Sequence, residues 1–323
     1  MKAIALFSGG LDSILAVKLI QEQGLGVVGI CFEAPFFSSD KAARSAPYIG
    51  LSLKVVDITD SLIQIVLNPR HGHGKGLNPC IDCHELMFKI AGEMLKNEKA
   101  DFIISGEVVG QRPMSQSLRS LSTISHGSGF KDLILRPLSA KRLPETLPER
   151  KGWVIRERLL GLSGRSRQPQ IELAKKFGIE DYPAPAGGCL LTEKVFSRRL
   201  KDLLSSNPDF SRRDVELLRL GRHFRLSKNA KIVVGRNQKE NEVISSLRKE
   251  ADTMFRVESF PGPTVLATGN LSVEGIELAA ALTVSYSDAP SHQSVSVRVT
   301  RDCNNWSVFA RKRGKSDFHG FMI

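Results

Sequence analysis

Two cysteines stand three apart in the stretch GLNPCIDCHEL (76–86), with a histidine directly behind them: Cys80, Cys83 and His84. Two thiols cannot complete a metal's coordination shell. Such a pair is half a zinc site, part of an iron–sulfur site, or a redox couple. A third thiol, Cys189, follows Gly187 and Gly188, which leave room for backbone to approach whatever that sulfur binds. His71 and His73 lie close by in sequence, and two cysteines with two histidines is a zinc combination. However, the run HGHGKG lacks the usual histidine spacing of zinc sites. A second chemistry sits at the start of the chain. LFSGGLDSILAV (6–17) reads as a strand, a glycine turn and a helix start. Gly9 and Gly10 let several backbone N–H groups face one point, the helix start adds partial positive charge, and Ser8 and Ser13 can donate hydroxyls. The result is a phosphate cradle. It is not a Walker A loop, because the Gly-Lys-Ser/Thr ending is missing. Without that lysine the loop suits pyrophosphate release rather than transfer of a terminal phosphoryl group.

The surrounding elements are those that would position such a loop. Apolar runs at 2–7, 25–32, 51–57, 101–106 and 132–138 read as strands. Helical patterns at 13–24, 41–50 and 83–100 alternate with them. This alternation predicts an α/β fold, a parallel sheet with helices on both faces, and ligands at the carboxyl ends of its strands. After residue 200 the texture changes. SSNPDFSRRD (205–214) reads as a linker, followed by alternating runs such as AKIVVGR and HQSVSVRVTR and a helical stretch at 238–252. The expectation is a first domain over 1–204 and a small α+β domain over 215–323. Cys31 and Cys303 fall in predicted strands and read as packing.

The chain has 323 residues and a formal net charge of +12, a surface that favours polyanions, nucleic acid first. Residues 111–170 hold 12 Lys and Arg against 4 Asp and Glu. Arg112, Arg165 and Arg167 in that stretch are candidates for a phosphate-backbone track, since arginine forks suit phosphate oxygens. No run of about 18 apolar residues is present, so no membrane span is expected. The opening apolar run is short and breaks at glycines, unlike a secretory signal. A cytoplasmic location follows, where paired cysteines serve metal or redox chemistry rather than structural disulfides.

The pattern SGGxDS resembles the PP-loop of the ATP pyrophosphatase superfamily. Those enzymes adenylate a carbonyl oxygen, release pyrophosphate and let a nucleophile displace AMP. The resemblance implies ATP held by Ser8, Gly9, Gly10 and Ser13, with Asp12 at the pyrophosphate and its Mg²⁺. SGEVVGQRPMSQSLRSL (105–121) is similar to a segment of tRNA 4-thiouridine synthetases that lies beside the nucleotide. The matching residues are Gly106, Glu107, Gly110, Gln111, Ser115 and Gln116, and Arg136-Pro137-Leu138 matches that family's strand-end motif. The segment around Cys189 (182–204) is similar to the one holding the second catalytic cysteine of tRNA 2-thiouridylases. NPCIDCH aligns with their first-cysteine motif, Asn-Pro-Asp-x-x-Cys, but Cys80 stands where those enzymes have aspartate. Two near cysteines plus a distant one resemble the iron–sulfur branch of tRNA thiolases.

The resemblance therefore implies a tRNA uridine sulfurtransferase, with 4-thiouridine ahead of 2-thiouridine as product. Cys80, Cys83 and Cys189 would hold a 4Fe–4S cluster with one iron open to sulfide. A persulfide and disulfide pair, or zinc, are the alternatives for the site. The implied partners are tRNA, a sulfur donor (inorganic sulfide or a sulfur-carrier protein) and, as a homodimer, a second copy of the chain. An amide-transferring synthetase acting on a small molecule would explain the loop but not the cysteines. Further on, RHFRLSKNAKIVVGRNQKENEVISSL (222–247) resembles the RNA-binding module called NFACT-R, which makes Arg222, Arg225, Lys231 and Arg236 candidates for backbone contacts. Residues 201–323 hold 19 Lys and Arg against 14 Asp and Glu, so charge alone fits a structural module equally well.

Overall fold

The computed structural model describes residues 1–182 and 188–323. The chain forms two compact units, Met1–Thr192 and Glu193–Ile323.

The first unit is built on five strands: β1 (Lys2–Leu6), β2 (Gly26–Glu33), β3 (Ser52–Asp57), β4 (Phe102–Ser105) and β5 (Ile134–Leu135). They form a parallel sheet in the order β3-β2-β1-β4-β5. The central strands are buried on both faces, which is why they read as continuous apolar runs. Seven helices accompany the sheet: α1 (Leu11–Gln21), α2 (Asp40–Ser45), α3 (Thr59–Leu67), α4 (Cys80–Met94), α5 (Leu118–Gly127), α6 (Leu147–Arg150) and α7 (Gln168–Lys176). The strand order reverses between β1 and β4, so a crevice opens at their carboxyl ends. Phe7 to Gly10 leave β1 there, and Gly106 and Glu107 leave β4. The parallel sheet and the early helices match the sequence expectation. Helix α3 was not anticipated, and β5 is shorter than its predicted run.

In the second unit, α8 (Lys194–Ser206) and α9 (Arg212–Leu217) precede a six-stranded antiparallel sheet. Its strands are β6 (Arg222–Ser227), β7 (Ala230–Val234), β8 (Thr253–Val257), β9 (Val265–Gly269), β10 (Ser294–Arg301) and β11 (Asn304–Arg311), in the order β11-β10-β8-β9-β7-β6. Helices α10 (Gln238–Ser246) and α11 (Val273–Ser285) complete it. Ala279, Leu282 and Val284 of α11 pack into the core formed by Val297 and Val299 of β10 and Phe255 of β8.

The unit boundary falls earlier than the expected break after residue 204. Helix α8 belongs with the second unit: Arg199 donates to the carbonyls of Leu218 and Gly221 (2.9 and 3.0 Å), and Asp202 accepts from Arg225. Residues 205–214 are not an open linker. They end α8 and start α9 on a capping box, in which the backbone and hydroxyl of Ser211 donate to Asp214 (2.8 and 2.9 Å). Cys31 is buried in β2, and burial, followed by the charge of Glu33, pushes its thiol up to about 11. Cys303 is exposed in the β10–β11 turn rather than packed in a strand, because the chain reverses there through Asp302 at a φ of 50°. No helix among the described residues is long and apolar enough to cross a membrane.

Candidate active site

The glycine turn does what its sequence requires. Gly9 has a φ of +72°, and a Cβ placed on it would lie 2.4 Å from the backbone carbon and oxygen of Lys41. The turn is thus pressed against the start of α2, and only glycine fits. Gly10 caps α1 in an extended conformation, and a Cβ there would meet nothing closer than Ser8 Oγ at 3.4 Å. Ser13 Oγ donates to Gly10 O (2.8 Å) and lies 3.4 Å from Ser8 Oγ, so both hydroxyls face the same turn. Ser45 Oγ holds the carbonyl of Gly9 (3.1 Å).

The β4 loop closes on α1 from the other side. A Cβ on Gly106 would fall 2.4 Å from the backbone of Asp12, so this glycine allows the two strand ends to meet over the first turn of the helix. Asp12 Oδ2 accepts from Gln111 Nε2 (2.7 Å), and Gln111 Oε1 accepts from Gln170 Nε2 of α7 (2.9 Å). Asp12 Oδ1 is buried and has no hydrogen-bond partner. A buried carboxylate oxygen left open at a phosphate-binding turn is the kind of donor that Mg²⁺ takes, so the residues present fit that ion. Gly110 takes a φ of +77° and donates to Gln116 O (2.7 Å), while Ser115 and Gln116 are buried. Those two residues shape the loop from within.

Glu107 is the most constrained ionisable group of the site. Its Oε2 accepts from Arg136 Nε (2.7 Å) and Ser105 Oγ (3.2 Å), and its Oε1 pairs with His84 Nδ1 (2.8 Å). Burial works to raise its pKa, but the Arg136 charge and the His84 hydrogen bond outweigh it and hold the carboxyl at about 2. Arg136 in turn lies over the ring of Phe88 on α4 (5.4 Å) and donates to Ser125 Oγ (3.0 Å). Both carboxylate oxygens of Glu107 are therefore engaged with protein. Its place is to bind the β4 loop to α4.

Helix α4 carries the cysteines. Cys80 and Cys83 sit in its first turn, one helical step apart, and so share a face. Asn78 Nδ2 approaches Cys80 Sγ (3.1 Å) while its Oδ1 accepts from Gly76 N (3.1 Å). The third cysteine arrives by backbone pairing: Leu77 N donates to Leu191 O (3.2 Å), which ties the 189–192 turn to the loop before Cys80. Gly187, one of the two glycines preceding Cys189, lies outside the described residues. Burial raises the Cys83 thiol far above its ordinary range, and negative charge on Cys189, then Cys80, then Asp82 would raise it further. The three sulfurs therefore feel one another across the 106 residues that separate Cys83 from Cys189 in the chain. Three thiols from two stretches of the chain, brought toward one another at the start of α4, are a donor set of the kind that suits iron–sulfur clusters. The donor chemistry fits such a group. The placement of these thiols is another matter: among the described residues, no group of three or more His, Cys, Asp or Glu side chains is positioned to hold a metal ion, so the cysteines offer the donors without a formed site.

Each of the three histidines has one ring nitrogen engaged by protein. His84 is engaged by Glu107, His71 Nδ1 pairs with Asp82 (3.0 Å), and His73 Nε2 contacts Val66 O (2.9 Å). Sequence reasoning gave none of the three a role. It also missed Asp82, whose carboxylate accepts from the backbone N–H groups of Arg70 and His71 (3.2 and 3.1 Å) and so sets the course of the loop before the cysteines. Its signal was an acidic residue in the first turn of a helix. Gln170 was invisible because only the fold brings α7 to α1.

The basic candidates divide sharply. Arg112 and Arg165 are exposed, on loops that approach each other where Gly110 meets the backbone of Gly164. Arg167, at the start of α7, is half-buried. In the second unit, Arg225 and Lys231 are not presented to solvent as expected. Arg225 grips Asp202 with two nitrogens (3.0 and 2.6 Å), and Lys231 lies 3.6 Å from the same carboxylate, buried. Burial lowers the Lys231 pKa to about 8 against the pull of Asp202. Arg236 forms a fork with Glu240 one helical turn on (2.6 Å), and Arg222 lies over the ring of Tyr286 (4.9 Å). Neighbours in the fold, which the sequence did not show, engage these four groups.

Comparison with known proteins divides the chain at the same place. Residues 1–142 match the family model described as thiamine biosynthesis protein (ThiI), and residues 221–317 match the NFACT protein RNA binding domain. The chain is 32% identical over 155 residues to a probable tRNA sulfurtransferase of Natranaerobius thermophilus, covering 43% of this chain and 35% of that one. It is 25% identical over 156 residues to a tRNA-specific 2-thiouridylase, MnmA, of Pelobacter propionicus, covering 44% and 43%. A solved 4-thiouridine synthetase–RNA complex with bound ATP aligns over 55% of this chain and 41% of that one, at 22% identity and a TM-score of 0.37. The chain thus spans less than half the length of the relatives it matches. Residues 1–142 of the first unit are thus similar to ThiI and to the tRNA sulfurtransferases, and the second unit is similar to the NFACT RNA-binding domain.

Proposed function

We infer that the chain is an ATP-dependent tRNA uridine sulfurtransferase, with 4-thiouridine as its product ahead of 2-thiouridine. One observation carries the reading: the phosphate turn and the cysteine helix are bonded into a single site through Gly106, Glu107 and His84. The relatives' names supply the substrate class. Two are called probable tRNA sulfurtransferases, and another a 2-thiouridylase.

The residues divide the work as follows. The turn at Ser8–Gly10, Ser13 and the start of α1 hold the phosphates of ATP by hydrogen bonds and helix charge. Asp12, steadied by Gln111, would hold Mg²⁺, which neutralises phosphate charge during attack at the α-phosphate. A uridine carbonyl oxygen attacks the α-phosphate and pyrophosphate leaves. Sulfide, as HS⁻, then displaces AMP, forms the C=S bond and gives up its proton. Cys80, Cys83 and Cys189 would hold a 4Fe–4S cluster, whose chemistry is to bind sulfide at an iron left open by the protein. Cys83 and Cys80, half-buried on one face of α4, would present their sulfurs together to that chemistry. Arg112 and Arg165 flank the site and suit the tRNA backbone. A second reading rests on the bond that ties the Cys189 turn to the loop before Cys80: a sulfane-sulfur donor leaves a persulfide on Cys83 or Cys189, its outer sulfur displaces AMP from the activated uridine, and the other thiolate attacks the inner sulfur, forming a disulfide and releasing the thiolated base.

The test is AMP formation by the purified chain with ATP and Mg²⁺. AMP that appears only when tRNA and sulfide are present supports the reading. AMP formed with a small carboxylic acid and no RNA replaces it with an amide-forming synthetase.

A further inference from the structure

The outer face of the second unit's sheet is only half covered. Alternation places Val295, Val297 and Val299 of β10 against α11, so Ser296, Arg298 and Thr300 point the other way. On that outer side, Leu266 and Met254 are covered by a small cluster with Ile244 and Leu247 from α10. Past Met254 the cover ends. Register puts Arg256 directly beside Arg298, and Arg298 beside Ser307. On β11 the same face carries Phe309, 73% exposed, and Arg311. Three exposed arginines and a bare phenylalanine thus lie on one open sheet surface. A lone exposed phenylalanine is ordinary on a protein surface, but one flanked by arginines on a pleated face offers a π-face to stack on.

A cavity of about 530 Å³ opens at the covered edge, lined by Gln238, Glu242 and Ser245 of α10, by Arg256, and by Phe260 and Pro263. Arg256 belongs to both features: it lines the cavity, and it stands beside Arg298 on the open face. It donates to Ser245 Oγ (2.6 Å), which aims its guanidinium toward α10. Arg298 donates from Nε and Nη2 to Glu258 Oε1 (3.1 and 2.9 Å) yet stays 63% exposed, so the guanidinium is oriented and part of it remains open to solvent. The volume is that of a small-molecule pocket, and its amide, carboxylate and aromatic lining is of the kind that reads a base edge.

We propose that this face binds a single-stranded stretch of RNA, with one base stacked on Phe309, its phosphates on Arg298 and Arg311, and a neighbouring base turned into the cavity past Arg256. Stacking platforms joined to basic tracks are how single strands are held without sequence reading. The charges suit a polyanion and offer little to an acid-free protein surface. The proposal rests on the tRNA reading and deepens it: it names where the second unit grips an unpaired segment of the substrate, apart from Arg225 and Lys231, which Asp202 takes up.

The experiment is fluorescence anisotropy of the full chain with a labelled twelve-nucleotide oligouridine, a duplex of equal length and a tRNA transcript, using wild type, Phe309→Ala, Arg298→Ala and Arg311→Ala. ATP binding and thermal melts serve as controls, and all three side chains are exposed enough for folding to survive. Phe309→Ala should weaken oligouridine binding about ten-fold, and each arginine change should lower the salt slope by about 0.7. The duplex should bind less well than the single strand. Wild-type affinity in all three variants would overturn the proposal while leaving the thiolation reading intact. If the wild type binds no RNA of any kind, both fall. A change in sedimentation mass in Phe309→Ala with unaltered RNA binding would make the face a contact between copies and would also overturn it.

Discussion

His84 Nδ1 lies 2.8 Å from Glu107 Oε1, and through that contact the helix that carries the thiols is joined to the strand end that closes over the phosphate turn. The other carboxylate oxygen holds Arg136, so one buried glutamate fixes three segments of the first unit. Replacing Glu107 with Ala leaves Arg136 buried without its counter-charge. The expected cost is about 3–5 kcal/mol, read as a lower denaturant midpoint at unchanged slope. The pH dependence follows in sign. The Glu107 pKa is about 2 folded against 4.5 in the open chain, so its contribution is complete above pH 4.5 and is lost as pH falls toward 2. Urea melts between those limits should show a steeper loss for the wild type than for Glu107→Gln.

Gly9 and Gly10 are neighbours with opposite tolerance. Gly9→Ala meets both a left-handed φ and backbone atoms at 2.4 Å, whereas Gly10→Ala meets only a hydroxyl at 3.4 Å. ATP affinity measured by calorimetry should drop at least about ten-fold in Gly9→Ala, with a loss of stability of about 1–3 kcal/mol from the strained turn. Gly10→Ala should fold with the wild-type melting temperature.

Asp12→Asn keeps the hydrogen bond from Gln111 but removes the charge of the unpartnered Oδ1. Its pyrophosphate release should fall by about two orders of magnitude or more, the scale expected when an electrostatic group is lost from a transition state. Adding Mg²⁺ should not restore it. Gln111→Ala, which only steadies Asp12, should lose less, and a shifted Mg²⁺ requirement would separate positioning from charge.

Lys231 and Arg225 make a prediction of the opposite kind. Both converge on Asp202, so Arg225→Ala and Lys231→Met should change stability and leave the salt dependence of RNA binding alone. With the Lys231 pKa near 8 folded and 10.5 unfolded, the open chain binds the extra proton between those values. Stability should therefore rise with pH from about 8 to 10.5 in the wild type, and Lys231→Met should remove that rise.

The phosphate turn was legible in sequence because its chemistry lies within six consecutive residues, and the parallel sheet because each strand is a buried apolar run. The reason Gly9 must be glycine was not legible, since the obstacle is the backbone of Lys41 on another element. The cysteines were legible as a set only through resemblance. The turn that carries Cys189 is tied in by backbone bonds from Leu77 to Leu191 and from Leu190 to Phe36, which no spacing rule contains. The pairing of Arg225 and Lys231 was hidden for the same reason: their partner Asp202 lies on α8, in a stretch assigned to the first domain. Pattern reports a residue's own preferences, while burial and pairing depend on what the fold sets opposite it.

The cysteine account separates cleanly by variant. Purified without oxygen, the wild type should hold iron and sulfide, and Cys80→Ala, Cys83→Ala and Cys189→Ala should each lack them. Full iron and full activity in Cys80→Ala would leave the Cys83–Cys189 pair as the working chemistry, and trapping a disulfide between them after turnover would then identify it.

The most direct measurement is nucleoside analysis by mass spectrometry of a tRNA transcript after anaerobic incubation with the purified chain, ATP, Mg²⁺ and sulfide. The account predicts a thiolated uridine, 4-thiouridine ahead of 2-thiouridine, formed with one AMP per sulfur and absent in Asp12→Asn and in each cysteine variant. A chain that binds ATP, retains its three thiols and leaves every uridine unmodified would contradict it.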